Sequence, residues 1–175
     1  MANKVFTGTR KIVDADYNDV KWVGKTKDER EVVIKLHNAI NLGNIDWKMA
    51  DKDETIASVE YVGTYEENAT DDNTEPWDVT YADGTETGTN KPGNILLGAG
   101  VFYIGTTAVG LCRGGGQFTL ERKYKDIEAD GDFGTVKGRT IIESSIPKLK
   151  MNLLEVISAN LQKLYPATDI KDATA

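Results

Sequence analysis

The residues able to do chemistry in this chain are few and lie far apart. His37 is its one histidine and Cys112 its one cysteine. A general base must sit within hydrogen-bond reach of the proton it takes. His37 falls on the polar side of an alternating run, where a half-exposed strand residue is the plainer reading. No second histidine or cysteine exists to complete a zinc site, and no nucleophile-elbow motif supports a Ser-His-Asp arrangement. Cys112 follows Leu111 and reads as a small apolar side chain. A lone cysteine excludes an internal disulfide and points to folding in a reducing compartment.

Two loops invite a ligand reading. Asp126-Ile127-Glu128-Ala129-Asp130-Gly131 begins like a calcium loop, but Lys137 stands at the twelfth position, where a bidentate glutamate is needed. Asp130-Gly131 is better explained as a turn between strands. Gly114-Gly115-Gly116 suggests a phosphate loop, yet no Lys-Ser or Lys-Thr follows and a strand pattern comes next. Three glycines before a strand fit a bend where another backbone approaches closely. Asp51-Lys52-Asp53-Glu54 reads as a solvated turn. Arg122, Lys123, Lys125, Lys137 and Arg139 are interleaved with Glu121, Asp126, Glu128, Asp130 and Asp132. Mixed signs suit ion pairing between subunits or a solvated surface, not a grip on nucleic acid. We expect no catalytic residue, no metal and no cofactor.

The elements that must carry these residues are mostly strands. Val32, Ile34 and Leu36 alternate with Val33, Lys35 and His37. Ala57, Val59, Tyr61 and Tyr65 share a second face, and Trp77, Val79 and Tyr81 a third. Val101 to Ile104 is apolar on both sides and ends at Gly105, which suits a central strand followed by a hairpin. Phe118 and Leu120 share a face, with Arg122 continuing the row into wetter surroundings. Thr135 to Ile142 and Ile146 to Met151 complete the strands, Pro147 marking a strand start or an edge. One helix is predicted, with Asn152 as N-cap and Glu155 closing a capping box. Leu153, Ile157, Leu161 and Leu164 follow at helical spacing, and Pro166 stops it. That apolar stripe would cover an open face of the sheets. Glu66 to Glu75 and Ala82 to Thr89 read as connectors, the second a flexible linker. Ala167 to Ala175 reads as a tail with little to bury.

The 175 residues fit a single domain, 1–175. A mean hydropathy of -0.42 and 28% charged residues describe a soluble protein. No apolar run approaches the roughly 20 residues that span a bilayer, and no signal-peptide pattern opens the chain. Residues 51–88 carry twelve Asp or Glu against one Lys, which accounts for the excess behind the net charge of -7. Such acidity argues against tight phosphate binding; it suits a surface that DNA slides past and equally a solvated acidic loop with no partner.

Ala108 to Gly116, Ile127 to Asp132 and Val136 to Arg139, followed by Met151 to Glu155, together resemble the start of the major tail (tail tube) proteins of long-tailed bacteriophages. A weaker block, about Lys11 to Tyr81, includes Asp19 to Gly24, Asn38 to Leu42, Ile45-Asp46-Trp47 and Thr74 to Trp77. It resembles the part that follows in that family. The chain therefore resembles a circular permutant: residues 5–81 correspond to the family's C-terminal part, 82–89 to a linker, and 90–175 to its N-terminal part. Asn3-Lys4 echoes Asn90-Lys91.

The resemblance implies a mainly β fold, two packed antiparallel sheets (a β-sandwich or partial barrel) with one flanking α-helix. It implies hexameric rings whose inner strands join into a continuous barrel, and rings stacked into the conduit for DNA ejection. Partners would be further copies of the chain, other tail proteins, and DNA passing through the lumen without specific binding. No membrane partner is implied. The protein would fold in the host cytoplasm and reside in the virion. Subunit contacts are expected at Gly114, Gly115, Gly116, Tyr124, Lys125, Asp126, Ile127, Asp130 and Asp132, the glycine bend then lying against a neighbour. Two other readings stand beside it. One is a monomeric β-sandwich that binds carbohydrate or protein through Trp22, Trp47 and Trp77. The other is a small β-fold enzyme.

Overall fold

Alternation at period two decides most of what this chain becomes. The computed structural model describes residues 4–48, 55–66, 74–82, 91–131, 133–156 and 158–172. In chain order they form β1 (Lys4–Gly8), β2 (Asn18–Thr26), β3 (Glu31–Asn41), β4 (Trp47–Lys48), β5 (Ile56–Val62) and β6 (Trp77–Tyr81). Then come β7 (Leu96–Ile104), β8 (Thr107–Ala108), β9 (Cys112–Asp126), β10 (Thr140–Leu153), helix α1 (Ser158–Leu164) and β11 (Thr168–Asp172).

Nine strands make one antiparallel ladder in the order β8-β7-β2-β3-β5-β10-β9, with β6 added to β3 and β4 to β5. β3 belongs to two halves of it. Its first residues pair with β2 and β6, while Ile40 and Asn41 pair with β5. The change of partner follows Asn38, whose φ is 46°, and the β2–β3 register slips at the same place. The ladder thus folds into two antiparallel sheets, the mainly β, sandwich-like arrangement expected. Val20, Leu36, Phe102 and Ile104 from one sheet meet Val59, Tyr61, Leu149 and Met151 from the other.

Leu164 and Tyr165 close one end of that core. A helix as short as α1 does not hold itself together in water. Two core side chains satisfy its last carbonyls: the Tyr61 hydroxyl donates to Lys163 at 2.8 Å, and the Asn41 amide donates to Leu164 at 2.7 Å.

Several expectations need correction. Asn152 is not a helix cap; it lies in β10, because Leu149, Met151 and Leu153 are buried at period two against Ala57, Val59 and Tyr61 of β5. Only the last seven residues before Tyr165 are helical. Thr135 to Arg139 is loop, and β10 begins at Thr140. Pro147 neither starts nor ends β10. Its carbonyl accepts from Gly63, on the side where pairing with β5 begins only at Lys148, so its missing N–H lies on the Gly63 side and breaks no bond to β9. Tyr65 lies beyond the end of β5, exposed, instead of continuing its buried face. The tail expected from Ala167 is largely strand: β11 pairs with β1 from Gly8↔Thr168 to Lys4↔Asp172. Residues 51–54, 67–73, 83–89, Asp132, Ile157 and 173–175, among them much of both connectors, lie outside the described residues.

Candidate subunit interface

β9 is the longest strand of the ladder, and β10 is its partner along its whole length. Past Leu120 the two leave the sandwich as a two-stranded arm, Glu121–Asp126 against Thr140–Ile146. Of these residues only Ser145 is buried. Even-numbered residues of β9 continue the core face outward. Phe118 and Leu120 are half-buried, Arg122 follows, and then Tyr124 sits opposite Ile142 with 58% and 50% of their surfaces in water.

Arg122 anchors the root of the arm. Its Nη2 donates to both carboxylate oxygens of Glu75, at 3.0 and 2.9 Å, and the Trp77 indole N–H donates to the same carboxylate. Burial pushes the Glu75 carboxyl up, but these hydrogen bonds outweigh it and hold the group below its ordinary value. Lys123 pairs with Glu143 and Lys148 with Glu121, so a good part of the mixed charge is spent within the chain. At the far end Asp126 accepts from Thr140 and Thr135, at 2.6 and 2.8 Å, which lowers its carboxyl and ties the two sides of the loop together. The loop from Ile127 to Arg139 includes the turn at Asp130-Gly131.

The glycine triplet lies at the other end of β9. Register passes from Met151↔Gly116 to Leu153↔Cys112, so Arg113, Gly114 and Gly115 bulge out opposite Asn152. Gly114 and Gly115 hold φ of 82° and 75°, open to few other residues. Gly116 is small for a different reason: a Cβ there would come 2.4 Å from the Phe102 ring and 2.7 Å from the Lys150 carbonyl. The close neighbour at Gly116 is thus the chain itself. Along the strand, Gly116 and Tyr124 stand about 26 Å apart. The predicted residues Tyr124, Lys125, Asp126, Ile127 and Asp130 gather on the arm, and the triplet does not join them.

No family model, curated protein or solved structure matches this chain.

Both ends of the ladder are open. The outer edge of β9 has no partner strand among the described residues. Among the described residues β7 has only the two residues of β8 on its outer side, at Tyr103 and Ile104, which leaves Leu96 to Val101 without a partner strand there. Leu96, Leu97 and Val101 are exposed there. Unpaired edges of this length invite another strand. Sequence reasoning missed this edge, and it also missed Phe133, Val136, Ile141 and Ile142 of the arm. The signal for some of them was present: in Leu96-Leu97 and Ile141-Ile142, one member of each adjacent apolar pair must face away from the core.

His37 joins three strands. Its Nε2 is 2.8 Å from Asp78 of β6, its Nδ1 is 3.8 Å from Asp19 of β2, and Asp19 also pairs with Lys35 at 2.8 Å. Burial raises the Asp19 carboxyl, but Lys35 and the Asn38 N–H outweigh it, and the group sits below its ordinary value. The nearby Thr64 hydroxyl donates to the Asn38 carbonyl at 2.6 Å. The tryptophans are engaged too. Trp22 lies over Gly24 and Gly100, Trp47 donates to the Tyr165 hydroxyl, and Trp77 packs on Phe118. Burial pushes the Cys112 thiol up, which disfavours the reactive thiolate.

Proposed function

We propose that this chain is the structural subunit of a phage tail tube, with its elements in circularly permuted order. The observation that carries the reading is the pair of bare edges, β7 at one end of the ladder and β9 at the other. Two unlike edges on one chain favour head-to-tail pairing, the kind of contact that closes a ring when the rotation fits. In such a ring, β9 of one copy pairs with β7 of the next, and both liabilities disappear.

Permutation draws support from where the chain is joined and where it is open. Ala82, the first residue of the proposed linker, and Asn94, just beyond its end, are both held by Arg30, at 3.4 Å to the Ala82 carbonyl and 2.5 Å to the Asn94 side chain. The Tyr81 hydroxyl also donates to the Asn94 carbonyl at 3.2 Å. A short linker therefore has little distance to cover. At the other junction, β1 and β11 are antiparallel neighbours, as the two arms of an opened hairpin would be.

Amide hydrogen exchange tests the edge pairing. Because the Pro147 carbonyl turns toward Gly63, Pro147 and its partner Leu120 form a non-hydrogen-bonded pair. The N–H groups of Phe118, Leu120 and Arg122 then point outward from β9. They should exchange freely at low concentration and become protected in the assembly. Protection unchanged on assembly would rule out β9 as the joining edge.

A further inference from the structure

The two ends of β9 differ in what they lack. At the tip of the arm, Phe133 is 108% exposed, so its ring touches nothing in its own chain. At the root, an apolar cleft of about 230 Å³ opens between the bare edges of β7 and β9, lined by Trp22, Ile34, Leu97, Phe102, Phe118 and Leu149. That volume admits one aromatic side chain, and the walls offer no charged group.

We infer that Phe133 of one copy seats in this cleft of another copy. This rests on the tube reading and adds to it, since strand pairing at the edges does not by itself use the arm. Eight steps along β9 lead from Phe118, in the cleft wall, to Asp126, at the end of the strand, a distance of about 26 Å. A ring at the arm tip does not reach its own cleft, and it is free to enter that of another copy. Exposure points the same way. Tyr124 and Ile142 are exposed on one face of the arm, Ile141 on the other, and Ile127 and Phe133 in its loop. The arm thus carries apolar side chains that its own chain leaves in water, and the same chain supplies the receptacle. Knob and cleft lie on unlike parts of the molecule, so the contact is heterologous and repeats from copy to copy.

The test compares the wild type with Phe133→Ser and Leu97→Asp by sedimentation velocity over a concentration series, with thermal melts of each. Phe133 makes no contact in the monomer, so Phe133→Ser should melt like the wild type while raising the concentration needed for assembly by at least about tenfold. Leu97→Asp, which puts a charge in the cleft wall, should do the same. A disulfide readout is independent of both. With Cys112→Ser, a chain carrying Phe133→Cys and Leu97→Cys should give oxidised ladders beyond dimers, whereas Phe133→Cys alone should stop at dimers. Wild-type assembly matched by Phe133→Ser, with no ladder from the double cysteine, would overturn this contact and leave the tube reading standing. A wild type that stays monomeric at every concentration would overturn this contact, and a reordered form that also stays monomeric would overturn the tube reading with it.

Discussion

Lys4 and Asp172 are partners across an antiparallel ribbon, although they belong to opposite ends of the chain. The ribbon joins them through β1 and β11, and the Thr9 N–H donates to the Ala167 carbonyl at 2.6 Å where it meets the rest of the protein. A two-stranded ribbon is marginal alone, and connecting its strands would make them an ordinary hairpin. Reordering the chain so that residues 90–175 precede 5–81 should therefore fold to the same structure. Its circular dichroism should match that of the present chain, and its melting temperature should be at least as high, since the ribbon gains a covalent turn. A reordered protein that fails to fold, or that melts well below the present one, would contradict the permutation.

A second long-range contact fixes the helix. Asn41 is buried, and its amide donates to the Leu164 carbonyl at the end of α1. Asn41→Ala leaves that carbonyl without a donor and should cost about 1–3 kcal/mol in urea unfolding. Tyr61→Phe removes the donor to Lys163 and should cost about 1 kcal/mol. Both variants unfolding like the wild type would mean that packing alone holds the helix.

Much of this architecture was legible in the sequence, and the failures have physical causes. Val32 to His37 and Ala57 to Tyr61 announce their buried faces because each is covered on one side only. Met151 to Leu153 misleads because Asn152 and Glu155 form a good cap pattern, while burial of Leu153 at period two against β5 overrides local preference. Thr168 to Asp172 carries little apolar signal, and it becomes a strand only because β1 lies beside it. Of the candidate interface, Tyr124 to Asp130 were expected in a loop between strands, but Tyr124, Lys125 and Asp126 continue β9 because Thr140 to Ile142 pair with them. Phe133 and the bare edge of β7 were not expected, because an exposed apolar residue looks like a core residue until the fold shows where the core ends.

Acid should loosen the root of the arm. The Glu75 carboxyl lies below its ordinary value of 4.5, so its contribution to stability is full above that pH and is lost as pH falls through the lower folded value. Glu75→Gln should melt below the wild type at neutral pH, and the gap should close as pH drops below 4.5. Thermal melts across that range decide it. A gap that stays constant or widens in acid would mean that the carboxylate charge does not hold Arg122.

Negative-stain electron microscopy of the purified chain over a concentration series shows whether it assembles as a tail tube. Closed rings that stack into hollow tubes, increasing with concentration, are the predicted result. Uniform single-subunit particles at every concentration, for this chain and for its reordered form alike, would contradict the tube reading.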